Sequence, residues 1–197
     1  MRARRRFWQI GLAAVILCFA WLTQLTVLSL LPLRAVLCSL PLMVTIVWGA
    51  VFGSPLQMPR PEELRRVPLG QIITMQILSG SLSGALVGAF FGALYASILP
   101  TYPVCFPLIG WVSGYFCLRN FNQGVLLCLP LVLLLSVFAE AIMACQLALA
   151  GRPDVWPHLV QIAVPEAIVN ALLAPFVFIP MRAWYEFTKS PTQATQL

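Results

Sequence analysis

Apolar residues run through this chain in long stretches that short polar or proline-rich segments interrupt. A helix needs about 20 apolar residues to cross the hydrocarbon core of a membrane. Counting on that basis predicts six such segments: 7–31, 35–53, 72–99, 104–118, 125–150 and 159–183. The pattern therefore predicts an all-α membrane protein, a single bundle of about six transmembrane helices.

Proline, glycine or charged residues mark the breaks between these segments. The longest break, SPLQMPRPEELRRVPLGQ at 54–71, is too short to hold a soluble domain. At the start, MRARRRFWQIGLAAVILCFAWLT resembles a secretory signal but lacks a small-residue cleavage site, so we expect it to remain as the first span.

The amino-acid composition also indicates a membrane protein. Hydrophobic residues make up 60% of the chain and charged residues 9%, whereas a soluble domain carries roughly 25% charged residues. The cysteines show no C-x-x-C spacing and His158 is the single histidine, so the sequence indicates neither a metal site nor a cofactor.

The basic residues are distributed unevenly between the two sides of the predicted bundle. Ten Lys and Arg residues fall on the side of the termini and two, Arg34 and Arg152, on the other. Because cytoplasmic loops keep the positive excess, we expect both termini in the cytoplasm. A nucleic-acid partner is not expected, since no basic face with interleaved aromatic residues occurs. The cytoplasmic basic residues of interest are Arg4, Arg5, Arg6, Arg60, Arg65 and Arg66.

The stretch SGSLSGALVGAFFGALYAS at 79–97 places a glycine at every fourth position. Each glycine costs ~1 kcal/mol in a helix relative to alanine, but residues four apart share one ridge, where small side chains allow close helix contact. We therefore predict a glycine groove that receives either a helix of the same bundle or a partner's helix or ligand. It comprises Gly80, Gly84, Gly88 and Gly92, widened by Ala85 and Ala89.

Two carboxylates fall inside predicted spans. Glu140 and Glu166 are expected at similar depths on adjacent antiparallel helices, ~12–16 Å below the same turn, and Asn170 lies one turn beyond Glu166. Two close carboxylates cannot both ionise cheaply. They could form interhelical hydrogen bonds, a proton or solute site, or a polar anchor for a partner.

The motifs of membrane enzymes are missing from the sequence. GSLSG at 80–84 and GWVSG at 110–114 have the wrong spacing for an intramembrane serine protease, and Asp154 is the single aspartate. Lys189 is the single lysine and no H-E-x-x-H motif occurs. Catalysis is therefore not expected, and no catalytic residue is assigned.

Three stretches resemble the MreD family of bacterial rod-shape-determining membrane proteins, in particular its cyanobacterial branch. They are LTQLTVLSLLPL (22–33), GALVGAFFGALYASILPTYPVCFPLIGWVSGYF (84–116) and VPEAIVNALLAPFVFIPMRAWYEF (164–187). The chain departs from the family at GALYAS (92–97) and at Pro41–Leu42, where the family usually has acidic residues, so no role for those acids is carried over.

The resemblance implies a scaffold of the cell-elongation complex in the bacterial inner membrane. Such a protein would bind an MreC-like membrane protein and connect MreB filaments with peptidoglycan synthases, its basic segments facing filaments or anionic lipid. The resemblance also implies a fold like the vitamin-capturing subunits of energy-coupling-factor transporters. In that alternative, an outward-facing pocket near Glu140 and Glu166 would bind a small solute.

Overall fold

The computed structural model describes residues 2–26, 39–53, 68–80, 82–97, 100–116, 124–151 and 155–188. Regular secondary structure in these ranges is helical throughout, which confirms the predicted all-α class for the described part of the chain. A 3-10 turn covers Gly114–Phe116, and a π-helical turn covers Leu159–Ala163. The helices are α1 (Arg2–Thr26), α2 (Leu40–Phe52), α3 (Leu69–Gly80), α4 (Leu82–Leu94), α5 (Tyr102–Ser113), α6 (Gly124–Leu149), α7 (Val155–His158) and α8 (Val164–Thr188).

Helix α2 lies at the centre of the bundle. Its sequence, LPLMVTIVWGAVF, is apolar on every side, and residues 41–51 are all buried. A helix without a polar face is buried on all sides, and α2 accordingly contacts α1, α4, α5, α6 and α8. Pro41 occupies the first turn, where its missing N–H costs nothing, and the helix ends at Gly53, whose N–H donates to the Gly49 carbonyl at 2.8 Å.

The other helices pack around α2 in pairs. The most extensive contact joins α4 to α5, and the next joins α6 to α8. The rings of Trp48, Phe52, Trp184 and Tyr185 form an aromatic cluster where α2 ends beside the last turns of α8, with centroid separations of 4.7–5.7 Å.

Two helical runs are long and apolar enough to cross a membrane: Gly124–Leu149, with 26 residues, and Leu159–Phe187, with 29. Only 33% of the most apolar window of each is buried, whereas the core helix of a soluble protein is mostly buried. Leu134 on α6 and Phe176 on α8 are 68% and 76% exposed. An apolar surface of this kind marks contact with lipid or a partner protein.

Apart from α1, which has 25 residues, the remaining described helices are shorter than the predicted spans. Helices α2, α4 and α5 have 13, 13 and 12 residues, which corresponds to about 20 Å at 1.5 Å per residue. The predicted segment 72–99 contains two helices, α3 and α4, and α4 gives way to a turn at 95–97, shortly before Pro100. The described structure thus supports fewer full-length spans than the six that the sequence predicts.

Candidate functional site

The glycine groove of α4 lies against the backbone of α5. A side-chain carbon added at Gly88 would lie 2.5 Å from the carbonyl carbon of Phe106 and 2.7 Å from the nitrogen of Pro107. One added at Gly92 would lie 2.6 Å from the carbonyl oxygen of Tyr102. Such contacts leave no room for any side chain, so the groove brings two helix backbones of the same chain together.

Three helices meet where the groove reaches Gly84. A side-chain carbon at Gly84 would meet the Gly110 carbonyl of α5 and lie 2.9 Å from the Cα atom of Gly49 in α2. A side-chain carbon added at Gly110 would in turn meet the Gly84 carbonyl. Gly49 and Gly110 were not predicted as members of the groove, although each begins a G-x-x-x-G pair, with Gly53 and with Gly114.

The expected role of the flanking alanines is wrong in part. Ala85 is half-buried and Ala89 is exposed, so Ala89 does not widen the contact with α5. Each residue of a helix turns the side-chain direction by about 100°, which takes the row of Ala85 and Ala89 away from the row of glycines. Gly80 is the last residue of α3.

Asn170 is fully buried and joins three helices. Its Oδ1 atom accepts a hydrogen bond from the Ser39 N–H at the start of α2, at 2.9 Å. Its Nδ2 atom donates to Ser136 Oγ on α6 at 3.5 Å. The asparagine that the sequence singled out therefore connects α8 with α2 and α6.

Gln24 of α1 also accepts a hydrogen bond from a backbone N–H at the start of α2. Its Oε1 atom accepts a hydrogen bond from the Leu40 N–H at 2.8 Å. The first N–H groups of a helix have no partner within the helix, and in a membrane each unsatisfied group costs several kcal/mol. Gln24 and Asn170 thus cap the start of α2 in place of the Ser39 side chain, which makes no capping hydrogen bond.

Glu140 and Glu166, which the sequence places at similar depths, belong to α6 and α8. The two side chains are half-buried and interact electrostatically with each other and with Tyr102. Glu166 follows the π-helical turn of Leu159–Ala163 by three residues, and π-helical turns are frequent at functional sites.

A cavity of about 200 Å³ lies at this end of the bundle, and we call it the polar cavity. It is formed where α1 and α4 end, where α2 and α5 begin, and where α8 passes. Among the described residues that line the cavity, Glu166 is the one acidic residue, and Glu140 is not among them. The described lining residues are Gln24, Ser39, Pro41, Tyr95, Tyr102, Phe106 and Glu166.

Three aromatic rings of the polar cavity contact one another. The ring centroids of Tyr95 and Tyr102 are 5.9 Å apart, those of Tyr102 and Phe106 5.1 Å, and those of Tyr95 and Phe106 6.5 Å. The ring planes are inclined to one another by 54–67°. The Tyr95 hydroxyl is buried and has no hydrogen-bond partner among the described residues.

Sequence reasoning did not select Gln24, Tyr95 or Tyr102. Gln24 is one polar residue in a long apolar run, Tyr95 precedes the predicted turn PTYP, and Tyr102 lies within it. A polar side chain with several donors and acceptors inside an apolar run is the signal that could have identified Gln24.

The cytoplasmic basic residues add little to this geometry. Arg4, Arg5 and Arg6 belong to α1, whereas Arg60, Arg65 and Arg66 lie outside the described residues. Among the side chains that the structure describes, no group of three or more His, Cys, Asp or Glu residues is placed to hold a metal ion.

The described residues define an all-α protein with two helices able to cross a membrane and a polar cavity at one end of the bundle. Comparison of the chain with protein-family models, with curated proteins and with solved structures finds no match. Evidence for a function therefore comes from the residues, their geometry and the stretches 22–33, 84–116 and 164–187 that resemble the MreD family.

Proposed function

We propose that the protein is a non-enzymatic scaffold of the bacterial cell-elongation complex, embedded in the inner membrane. It crosses the membrane six times with both termini in the cytoplasm. Through helix contacts with an MreC-like partner, directly or indirectly, it connects MreB filaments with peptidoglycan synthases. The three quoted stretches that resemble the MreD family and the ten-to-two distribution of basic residues support this proposal.

The observation that carries the proposal is the pairing of α4 with α5. Glycine contacts fix the inner side of this pair, while Ala85, Ala89 and Ala93 form a row of small residues on its open side. Beside that row lies an apolar groove of about 390 Å³, lined by Leu82, Ala85, Val104, Pro107, Leu108 and Trp111. Small residues at four-residue spacing favour close packing of a second helix in a membrane.

The substitution Ala89→Leu tests this interface. The substitution adds volume to the open side of α4 without touching α5, so the protein should fold normally. Less of the MreC-like partner should then co-purify with the variant from solubilised membranes. Leu172→Ala, on the exposed side of α8, is the matched control and should leave partner recovery unchanged. Unchanged recovery with Ala89→Leu would contradict the proposed interface.

The proposed topology has its own test. Reporters active only in the cytoplasm, fused in turn to the N-terminus and the C-terminus, should both give signal in intact cells. A signal from one terminus alone would require an odd number of spans and would overturn the six-span arrangement.

A second candidate function is the substrate-binding membrane subunit of a small-solute transporter. The polar cavity favours it, because Glu166 and two tyrosines converge on a space of about 200 Å³. Tight binding of a vitamin-type solute that weakens in Glu166→Gln would support this function. Recovery of shape-complex proteins with no such binding would support the scaffold.

A further inference from the structure

The polar cavity combines one acidic side chain with three aromatic rings. Glu166 provides a carboxylate, and the rings of Tyr95, Tyr102 and Phe106 contact one another at inclined angles. A cation within about 6 Å of an aromatic centroid is attracted to the ring face. An acid beside several rings is therefore a chemical environment that favours a positively charged group.

The described walls of the polar cavity provide no positive charge of their own. None of the described lining residues is basic, and the two arginines expected on this side of the bundle, Arg34 and Arg152, lie outside the described residues. A carboxylate in a low-dielectric site is costly without a cationic or hydrogen-bonding partner. A bound cation would be such a partner for Glu166.

The volume matches a ligand group of a few non-hydrogen atoms. About 200 Å³ corresponds to roughly seven water molecules at ~30 Å³ each and is below the ~300–1,000 Å³ of sites for drug-sized ligands. A primary ammonium with a short carbon chain matches this size, the carboxylate and the rings.

We propose that the polar cavity binds a small primary ammonium group, held by Glu166 and by the faces of Tyr95, Tyr102 and Phe106. The group could belong to a free amine or to the headgroup of phosphatidylethanolamine. The inference deepens the second proposed function, on which it rests, by naming a class of solute.

The test compares propylammonium with 1-propanol, which has the same number of non-hydrogen atoms but no charge. Each probe is titrated against the purified full-length protein in nanodiscs of phosphatidylglycerol, and binding is followed by ligand-observed NMR. Propylammonium should bind at least about tenfold more tightly, because hydrogen bonds to a charged group are worth ~1.5–3 kcal/mol. Binding of neither probe at millimolar concentration overturns the inference.

Two variants locate the binding in the polar cavity. Glu166→Gln should abolish the preference for propylammonium, and Tyr102→Leu should weaken propylammonium binding about threefold to tenfold through the loss of one ring face. Glu186→Gln is the matched control, since the same change is made at an exposed position 20 residues further along α8, and its effect should stay below about threefold. Equal weakening in the two glutamine variants overturns the assignment to this cavity.

Thermal unfolding of each variant separates misfolding from lost binding. Should a variant fail to fold, the comparison of the two probes on the unsubstituted protein still decides the question. If 1-propanol binds as tightly as propylammonium and both weaken in Glu166→Gln, the ammonium assignment is overturned while a solute-binding function stands.

The source of the ammonium is identified by changing the lipid. Nanodiscs that contain phosphatidylethanolamine should weaken the apparent affinity for propylammonium if the headgroup competes for the cavity. An unchanged affinity assigns the cavity to a free amine.

Discussion

The contact between α4 and α5 and the capped start of α2 hold the same bundle together in different ways. Between α4 and α5, glycines leave no side chain between the two backbones, so stability depends on keeping added side-chain volume out of this contact. At the second, Asn170 and Gln24 supply the hydrogen bonds that the backbone of α2 lacks. The first region should therefore respond to added carbon atoms, and the second to the loss of a hydrogen-bond acceptor.

The largest effect is expected from Gly88→Leu. Its side chain would overlap the carbonyl of Phe106, and overpacking a tight contact costs ~1–3 kcal/mol or more. Because the obstacle is backbone, we expect a loss above ~3 kcal/mol in the free energy of unfolding, measured by denaturant titration in mixed micelles. Ala89→Leu, one residue along on the exposed side, should change it by less than ~0.5 kcal/mol. Similar losses in both variants would show that the glycine contact is not what stabilises the pair.

An intermediate effect is expected from Asn170→Leu. The Ser39 N–H would lose its partner inside the bundle, and a buried unsatisfied donor costs ~1–3 kcal/mol. The free energy of unfolding, obtained from the same titration, should fall by about this amount. Ser136→Ala is the control, since its hydrogen bond with Asn170 is long at 3.5 Å and should contribute under ~0.5 kcal/mol. A larger loss in Ser136→Ala than in Asn170→Leu would place the important contact on α6 instead of α2.

The smallest of the three effects is expected from Gln24→Leu. This change removes the acceptor for the Leu40 N–H at a partly buried position, so about 1 kcal/mol should be lost. Thr23→Val, in the same turn of α1, removes a hydroxyl that donates only to its own helix at Phe19 and should be nearly neutral. Thermal unfolding of the two variants side by side gives the comparison, and equal midpoints would contradict a capping role for Gln24.

The sequence predicted those parts of the molecule that depend on local pattern. Apolar runs identified the helices, and the four-residue glycine repeat identified a close helix contact. The cost of placing Glu140 and Glu166 in hydrocarbon pointed to the end of the bundle where the structure brings them together. Each of these signals is contained in one helix or in a pair of neighbouring helices.

The rest depends on contacts between distant parts of the chain. Gly49 and Gly110 take part in the tightest crossing, and although each begins a G-x-x-x-G pair, such a pair does not say which helix it will contact. The polar cavity collects residues from five helices or their ends, and its two tyrosines lie before and within a segment that the sequence indicates only as a turn. Ala89 lies on the exposed side of α4, because a rotation of about 100° per residue turns the row beside the glycines away from α5.

The hydrogen bond between Ser39 and Asn170 also has a consequence for the order of assembly during translation. The two residues are 131 positions apart, so α2 is synthesised long before its cap on α8 exists. Until α8 arrives, the Ser39 N–H must find water or a temporary acceptor. Completion of the bundle at this end is therefore a late event, and a chain truncated before Asn170 should be an early target for quality-control proteases.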